Sequence, residues 1–434
     1  MWLTALLVAP EWAALGLALS ALASFPCFVG AFSGEVLLAQ SQRWIRDSIG
    51  ALLRLITIMV LLACVRATFR TVLQDKTYAL RLVSLSFISL YVFTTSCGIK
   101  FYIAFELSLV PITLLVMGWG YQPERLKARL ALMLYTITSS LPLLLVLISF
   151  YNSSSLSFPL SSQLMPGTSA DATVLLAVCF RLAFFVKLPM FLTHIWLPKA
   201  HVEAPVAGSM FLAAVLLKLG GIGLIRFAKL YQSNLFFFLI IRVSLTALIW
   251  VGGICRFNTD MKSVIAYSSV AHMALALAAS LTLRLEGILA GALVFLTHGA
   301  SSSFMFMQRF YLYTRSNTRS VLLIGRSLWW SGVFSALWFL ACVGIMGAPP
   351  TANIVGEITC IVLLISFSHK VTLFLIVGAF LGGAYSIILF SFVYHTKKSK
   401  KFILLPRRIQ ETNSMLFHSY WLVVNLLVLN WFFL

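Results

Sequence analysis

Charge is what this sequence has least of. Only 10% of its 434 residues are Asp, Glu, Lys or Arg, and only 12 are acidic, whereas a soluble domain carries about 25% charged residues. An ordinary soluble enzyme is excluded on that ground. No polar stretch is long enough to fold by itself, so a length that would suggest about three soluble domains is read as one polytopic membrane domain spanning 1–434. Cysteine is scattered: Cys27, Cys64, Cys97, Cys179, Cys255, Cys342 and Cys360 lie singly in or beside apolar runs, with no C-x-x-C pair. That spacing speaks against disulfides and iron–sulfur ligation. No P-loop is present, and Gly220, Gly221 and Gly223 lack the third glycine and preceding strand of a dinucleotide fingerprint, so they are read as close helix packing. His194 and His201 stand seven apart without an H-E-x-x-H arrangement, so no metal site is expected. The N-terminal MWLTALLVAPEWAALGLALSALAS lacks a basic n-region; it reads as a retained first helix, with no import address.

What is present is apolar. The chain is 61% AVILMFWYC, enough for about thirteen spans at roughly 20 residues each. Apolar segments fall at 2–24, 26–41, 48–68, 78–97, 99–120, 128–151, 172–196, 205–227, 235–255, 262–282, 286–308, 328–365 (interrupted), 371–395 and 415–434. Fourteen transmembrane helices are expected, and no strands. The Ser- and Pro-containing stretch 152–171 reads as a solvated connection.

The 32 basic residues give a net charge of +20. Nucleic-acid binders carry such charge on a water-facing domain, which is lacking, so nucleic acid is not an expected partner. Loop charge that orients the chain explains the excess better. Counted in alternate connections, 20 Lys and Arg fall on one side, ending with Lys397 to Arg408, and 7 on the other (Arg43, Arg46, Lys100, Arg226, Lys229, Arg284 and Lys370). The first set includes Arg256, Lys262, Arg309 and Arg315 and marks the cytoplasm-like face. The cluster 397–408 is read as a basic loop touching anionic lipid. Arg54, Arg181, Lys187, Lys218 and Arg242 remain inside spans.

An ionisable side chain at the centre of a span costs about 2.5–3.5 kcal/mol even on insertion scales, so each needs a reason. Glu106 precedes Pro111 by five residues, Lys187 precedes Pro189 by two, Lys218 sits mid-segment, and Glu357 follows Pro349 and Pro350. Proline within a span removes a backbone donor, so the segments at Lys187 and Glu357 are expected to be broken. Paired broken helices in two halves of a chain mark inverted-repeat transporters. The ordinary alternative is a kink whose charge snorkels to the interface. His272 and His298 fall inside consecutive segments and His194 and His201 flank the break after Lys187; imidazole exchanges protons near neutrality, although a lone buried histidine also serves simply to bond a neighbouring helix. Arg54, Arg181 and Arg242 are read as snorkelling or locally paired.

Five stretches together resemble the antiporter-like membrane subunits of respiratory complex I and the related Mrp-type antiporter subunits: FYIAFELSLVPITLLVMGWGYQPERLKA, FVKLPMFLTHIWLPKAHVEAPVAGSMFLAAVLLKLGGIGLIR, NTDMKSVIAYSSVAHMALAL, THGASSSFMF and APPTANIVGE. They cover about 100–360. The resemblance implies an all-α integral membrane fold of about 14 helices with two inverted five-helix repeats, here 78–227 and 235–395, broken seventh and twelfth helices, N-terminal helices over 1–77 and a C-terminal helix at 415–434. By motif it makes Glu106 a partner of Lys187, Lys218 the central lysine, and Glu357 an acid directed toward a neighbouring subunit. It departs from the family at FMQRFYLYTRSNTRS, where Thr314 replaces an acid and Arg309 is added.

The resemblance also implies proton translocation coupled to NADH oxidation and ubiquinone reduction. Lys187 with Glu106 would store a proton, and Lys218, His272 and His298 would lead it toward Glu357. This chain would hold no cofactor; NADH, FMN, Fe–S clusters and ubiquinone would belong to partner subunits. The implied partners are other membrane-arm and accessory subunits and phospholipids, cardiolipin among them, in the mitochondrial inner membrane. The 20-charge face would then be the matrix face, with both termini toward the intermembrane space. A stand-alone cation/proton antiporter would share the charged axis, and a passive structural or lipid-binding subunit would carry it without using it.

Overall fold

A computed structural model describes residues 48–120, 122–153, 170–227, 234–324, 332–395 and 409–433. The first two apolar segments, most of the 152–171 connection and the Lys397 to Arg408 cluster lie outside the described residues. Apart from isolated bridge positions, the pair Asp260 and Ser320 among them, regular structure among the described residues is helical. Among the described residues nine helices are long and apolar enough to cross a membrane, and there are two shorter apolar helices, Gly332–Met346 and Asn353–Phe367.

The chain divides into two compact units, one comprising residues 1–188 and 203–233, the other 189–202 and 234–434. In the first unit α1 is Ser48–Ala67, α2 Phe69–Gln74, α3 Lys76–Thr94, α4 Gly98–Leu107, α5 Leu109–Trp119, α6 Arg125–Ser153 and α7 Ala170–Lys187. Helices α9 (Val206–Phe211) and α10 (Leu217–Arg226) are joined by a π-helical turn, Leu212–Leu216. This composite is the unit's core, 94% buried over its most apolar window. Apart from Ser209, Lys218 and Arg226 its residues are apolar or glycine, as enclosure of a helix on every side requires. Gly220 and Gly223 admit α7: a Cβ on Gly220 would meet Leu188 N at 3.0 Å, and one on Gly223 would meet the Phe184 ring at 2.3 Å. The glycine cluster is thus a packing device.

In the second unit α8 is Trp196–Glu203, α11 Asn234–Phe257, α12 Met261–Ser280, α13 Leu285–Ser316, α14 Gly332–Met346, α15 Asn353–Phe367, α16 Thr372–His395 and α17 Ile409–Phe433. Here α12 and α13 form the core, each 89% buried over the same kind of window, whereas the span containing α16 is only 22% buried. Leu373, Ile376 and Phe380 of α16 are exposed.

Both proline sites interrupt helix. Beyond Lys187 the chain runs through turns from Leu188 to Ile195, past Pro189, before α8 begins. Beyond Met346 it leaves helix over 347–352, through Pro349 and Pro350, before α15 begins. A third irregularity separates α4 from α5 at Ser108, three residues before Pro111, whose missing N–H removes the donor that Leu107 O would meet.

Connections that share a side in the charge count meet in space. Trp119 Nε1 at the end of α5 donates to Asp75 before α3 at 3.1 Å. Met261 N donates to Arg319 O and Val321 N to Thr259 O, joining the connections before α12 and after α13. On the opposite side Arg226 reaches back to the end of α3, donating to Phe93 O at 2.6 Å and Val92 O at 3.0 Å. These carbonyls lack intrahelical partners, so a cation there caps the helix.

Two of the counted connection charges are buried inside protein. Lys262 is 1% exposed and donates to Val202 O at the end of α8 at 3.0 Å. Arg309 is 3% exposed within α13, which continues to Ser316 rather than ending near 308, and its guanidinium lies 4.8 Å from the centroid of the Tyr313 ring. Hydropathy places a span's end where polar residues begin, whereas α13 continues inside protein. Arg54 and Arg181 are buried and engaged, while Arg242 is exposed on α11.

Candidate functional site

In the first unit, Lys187 ends α7 and is 3% exposed. Its ammonium donates to Phe105 O at 2.6 Å and stands 3.1 Å from the centroid of the Phe105 ring. Phe105 belongs to the last turn of α4, where a carbonyl has lost its helical donor; Ser108 Oγ donates to the same oxygen at 2.7 Å. The Phe101, Phe105, Phe184 and Phe227 rings pack together with centroids 5.7–6.4 Å apart. The ammonium is therefore solvated by one carbonyl and one aromatic face.

Glu106 is the residue after Phe105. Its carboxylate feels the Lys187 charge and lies beside Ser140 of α6, yet it makes no ion pair with Lys187 within 4 Å, and Oε1 is buried without a hydrogen-bond partner. The expected pair thus adjoins without closing. Lys218, fully buried in α10, donates to Ala213 O at 2.5 Å. Ala213 lies in the π-helical turn, where the bonding pattern shifts and carbonyl geometry is irregular. Both lysines are held by backbone oxygens at breaks in helical order, and neither by an acid.

The second unit holds a hydrogen-bonded cluster. His272 Nδ1 of α12 lies 3.0 Å from Glu357 Oε1 of α15. Asn353 Nδ2 donates to the same Oε1 at 2.6 Å and to Gly344 O at 3.2 Å, and Asn353 Oδ1 accepts from Thr297 Oγ1 at 2.9 Å. His298 of α13 is fully buried and stacks on His272 with centroids 5.0 Å apart. The carboxylate also presses on the helix break: a Cβ on Gly347, whose φ is +70°, would fall 2.3 Å from Glu357 Oε2. His272 Nε2 is buried and unpartnered, while Nδ1 faces the Glu357 carboxylate.

His272, His298 and Glu357 are thus brought together; Glu106, Lys187 and Lys218 belong to the other unit. The resemblance directed Glu357 toward a neighbouring subunit, whereas within this chain its carboxylate contacts His272. His201 is fully buried with its ring stacked on Phe306 at 4.8 Å, and His194 stacks on Phe191 at 5.6 Å. Among the described residues no group of three His, Cys, Asp or Glu could hold a metal. Sequence reasoning missed Asn353 and Thr297, uncharged residues whose role shows only once α13 and α15 pack together.

Similarities to known proteins agree with this architecture. The family model described as NADH:quinone oxidoreductase/Mrp antiporter, TM matches residues 98–382. NADH-ubiquinone oxidoreductase chain 4 of Aedes aegypti is 39% identical over 331 residues, 76% of this chain and 73% of that protein. The protein of the same name from Lumbricus terrestris is 37% identical, covering 80% and 77%, and that of Albinaria caerulea 37% identical, covering 85% and 82%. A chain of respiratory complex I from Thermus thermophilus with bound NADH superposes with a TM-score of 0.84 at 21% identity, over 96% of this chain and 91% of its own. A chain of the archaeal membrane-bound sulfane sulfur reductase superposes with 0.83 at 20% identity, over 98% and 73%. These two establish the fold; the family match and the chain 4 relatives establish that the chain belongs to the NADH:quinone oxidoreductase/Mrp antiporter membrane-subunit family.

Proposed function

We propose that this chain is a membrane-arm subunit of respiratory complex I that translocates protons across the mitochondrial inner membrane, driven by NADH oxidation and ubiquinone reduction on partner subunits. The observation that carries the reading is the adjoining but unclosed pair of Lys187 and Glu106, with one buried carboxylate oxygen unpartnered. A purely structural buried charge demands a closed, fully bonded partner, because an unpaired charge is costly. A lysine whose acid can approach or withdraw instead changes its proton affinity with each movement. Lys218 serves as a second lysine station. His272, His298 and Glu357 pass the proton onward, with His194, His201, Pro189, Pro349 and Pro350 shaping the breaks.

The fourteen-helix count, the inverted repeats at 78–227 and 235–395, the matrix location of the basic face and termini toward the intermembrane space are part of the same proposal. So is the placement of FMN, Fe–S clusters, NADH and ubiquinone on partner subunits, with phospholipid, including cardiolipin, at the periphery. A stand-alone antiporter would share the charged axis; the extended identity to relatives named NADH-ubiquinone oxidoreductase chain 4 supports membership of the complex instead. Co-purification with flavin and Fe–S proteins is expected, and purification as a self-sufficient antiporter would contradict it. Glu106→Gln preserves size and removes the charge, so pumping should fall far more than assembly. A normal proton-to-electron ratio in the assembled variant would sink the reading.

A further inference from the structure

One other set of buried polar side chains has no role in either station. It lines the seam between α13 and α17. At its outer end Arg315 Nη2 and Glu411 Oε2 are 2.5 Å apart, with side chains 13% and 15% exposed. One turn inward, Tyr311 OH and Ser414 Oγ lie 2.6 Å apart. Deeper, Ser303 Oγ and His418 Nε2 are 2.7 Å apart. That nitrogen is also 3.2 Å from Ala300 O, which can only accept, so Nε2 carries the hydrogen. Ser303 sends its own hydrogen to Ala300 O at 3.0 Å and accepts from His418. Ser303, Tyr311, Ser414 and His418 are all buried.

Polar contacts of this kind are ordinarily glue between helices, and that account covers the paired groups. It leaves out Gln308. Residues 304, 308, 311 and 315 follow the i, i+4, i+7, i+11 spacing of one helix face, and on that face Phe304 stacks on His418 at 5.5 Å while Tyr311 and Arg315 contact α17. Gln308 lies between them with 0% exposure, and neither its Oε1 nor its Nε2 has a hydrogen-bond partner. A buried amide left unsatisfied costs about 1–3 kcal/mol per group. Water is the partner that fits such a site, because it can donate to one amide atom and accept from the other.

We propose that the α13–α17 seam is a hydrated proton file, a second route between the face bearing Arg315 and Glu411 and the His298–His272 pair. It rests on the proton-translocation reading and adds a path to it. The file runs from Tyr311 and Ser414, through water at Gln308, to Ser303 and His418. The hydroxyls of Ser301 and Ser302, which turn back on His298 O, occupy the turn that leads to His298. From Arg315 to Ser303 is about 18 Å at 1.5 Å per residue. In each hop one O–H or N–H bond breaks as the next forms, so one proton moves and each relay group is left reversed; rotation of the hydroxyls and water then restores the starting orientation.

The test has two arms in the assembled complex. In the first, Gln308→Cys is treated with 2-aminoethyl methanethiosulfonate, a small thiol reagent that needs water to arrive, with the unsubstituted chain giving the background from native cysteines. Labelling at least ten-fold faster than at Ala278→Cys, a dry core position of α12, is expected; equal rates would mean a dry seam and overturn the proposal. In the second, Tyr311→Phe keeps the ring and removes the hydroxyl, and Gln308→Leu removes the amide. Each should lower coupled turnover at least three-fold while NADH oxidation by an artificial acceptor is unchanged, and Gln308→Asn should restore most of the loss. If Gln308→Leu fails to assemble, Tyr311→Phe reads the same file with its packing intact. Normal pumping in Tyr311→Phe with Gln308→Cys fully labelled would show a wet seam that does not conduct, and would also overturn the proposal. Labelling is independent of pumping, so failure of the general translocation reading, seen as normal pumping in Glu106→Gln, remains distinguishable.

Discussion

The two units solve the same problem, an ionisable group inside a membrane protein, with different materials. In the first, Lys187 and Lys218 rest on Phe105 O and Ala213 O, carbonyls at a helix junction and a π-helical turn. In the second, Glu357 is bonded by side chains: His272, Asn353 and, through Asn353, Thr297. A carbonyl accepts from an ammonium but can neither supply nor remove a proton, which suits the holding role proposed for the lysines. A carboxylate against an imidazole is a donor and acceptor in contact, suited to transfer. On the proposed reading, the first unit stores the proton and the second exchanges it.

The contrast can be broken most forcefully at Lys218. Lys218→Met retains length and apolar bulk but removes the proton site, and turnover of the whole complex should fall about ten-fold or more, equivalent to roughly 1.4 kcal/mol per decade. Lys218→Arg, still a permanent cation, should fail nearly as badly, because a guanidinium does not release its proton. Retained turnover in Lys218→Arg would mean that the site needs charge alone. A smaller effect is expected from Gly347→Ala. Its φ of +70° and the Glu357 carboxylate standing where the new Cβ would fall force either the backbone or the carboxylate to move, costing about 1–3 kcal/mol; assembly yield and thermal stability measure this.

Arg226→Met tests the frame of the storage unit. It removes the cation from Val92 O and Phe93 O, and a loss of about 1–2 kcal/mol in stability with proton-to-electron ratio unchanged is expected. The smallest effect belongs to Asp75, which caps α3 by accepting from Thr77 N at 3.1 Å. The Thr77 hydroxyl holds its carboxyl below the ordinary range. Its contribution is therefore complete above the unfolded pKa of about 3.9 and is lost as pH falls through the lower folded value. Asp75→Ala should cost about 1 kcal/mol at neutral pH and lose that difference in acid.

Much of this was legible in the sequence because lipid makes charge conspicuous. Glu106, Lys187, Lys218 and Glu357 stand out from apolar surroundings, and Pro189 and Pro349–Pro350 mark the interruptions of helix. The acceptors were not legible. Any residue can offer a carbonyl, and only chain geometry shows that those of Phe105 and Ala213 are the ones presented. Asn353, Thr297, Gln308 and His418 were passed over because a polar residue in an apolar run costs little to explain until its neighbours are known. Arg309 falls inside a helix rather than a connection for a related reason: hydropathy cannot distinguish a helix leaving the membrane from one continuing inside protein.

The central claim is that the storing lysine and the exchanging acid serve one translocation event. The direct measurement is a double-mutant cycle on coupled pumping with Lys218→Met, Glu357→Gln and both together, in assembled complexes of equal abundance. Each single variant should cut pumping strongly. Residues acting in series are not additive, so the double variant should be little worse than the poorer single. Losses that multiply in full would contradict the account and assign the two units separate roles.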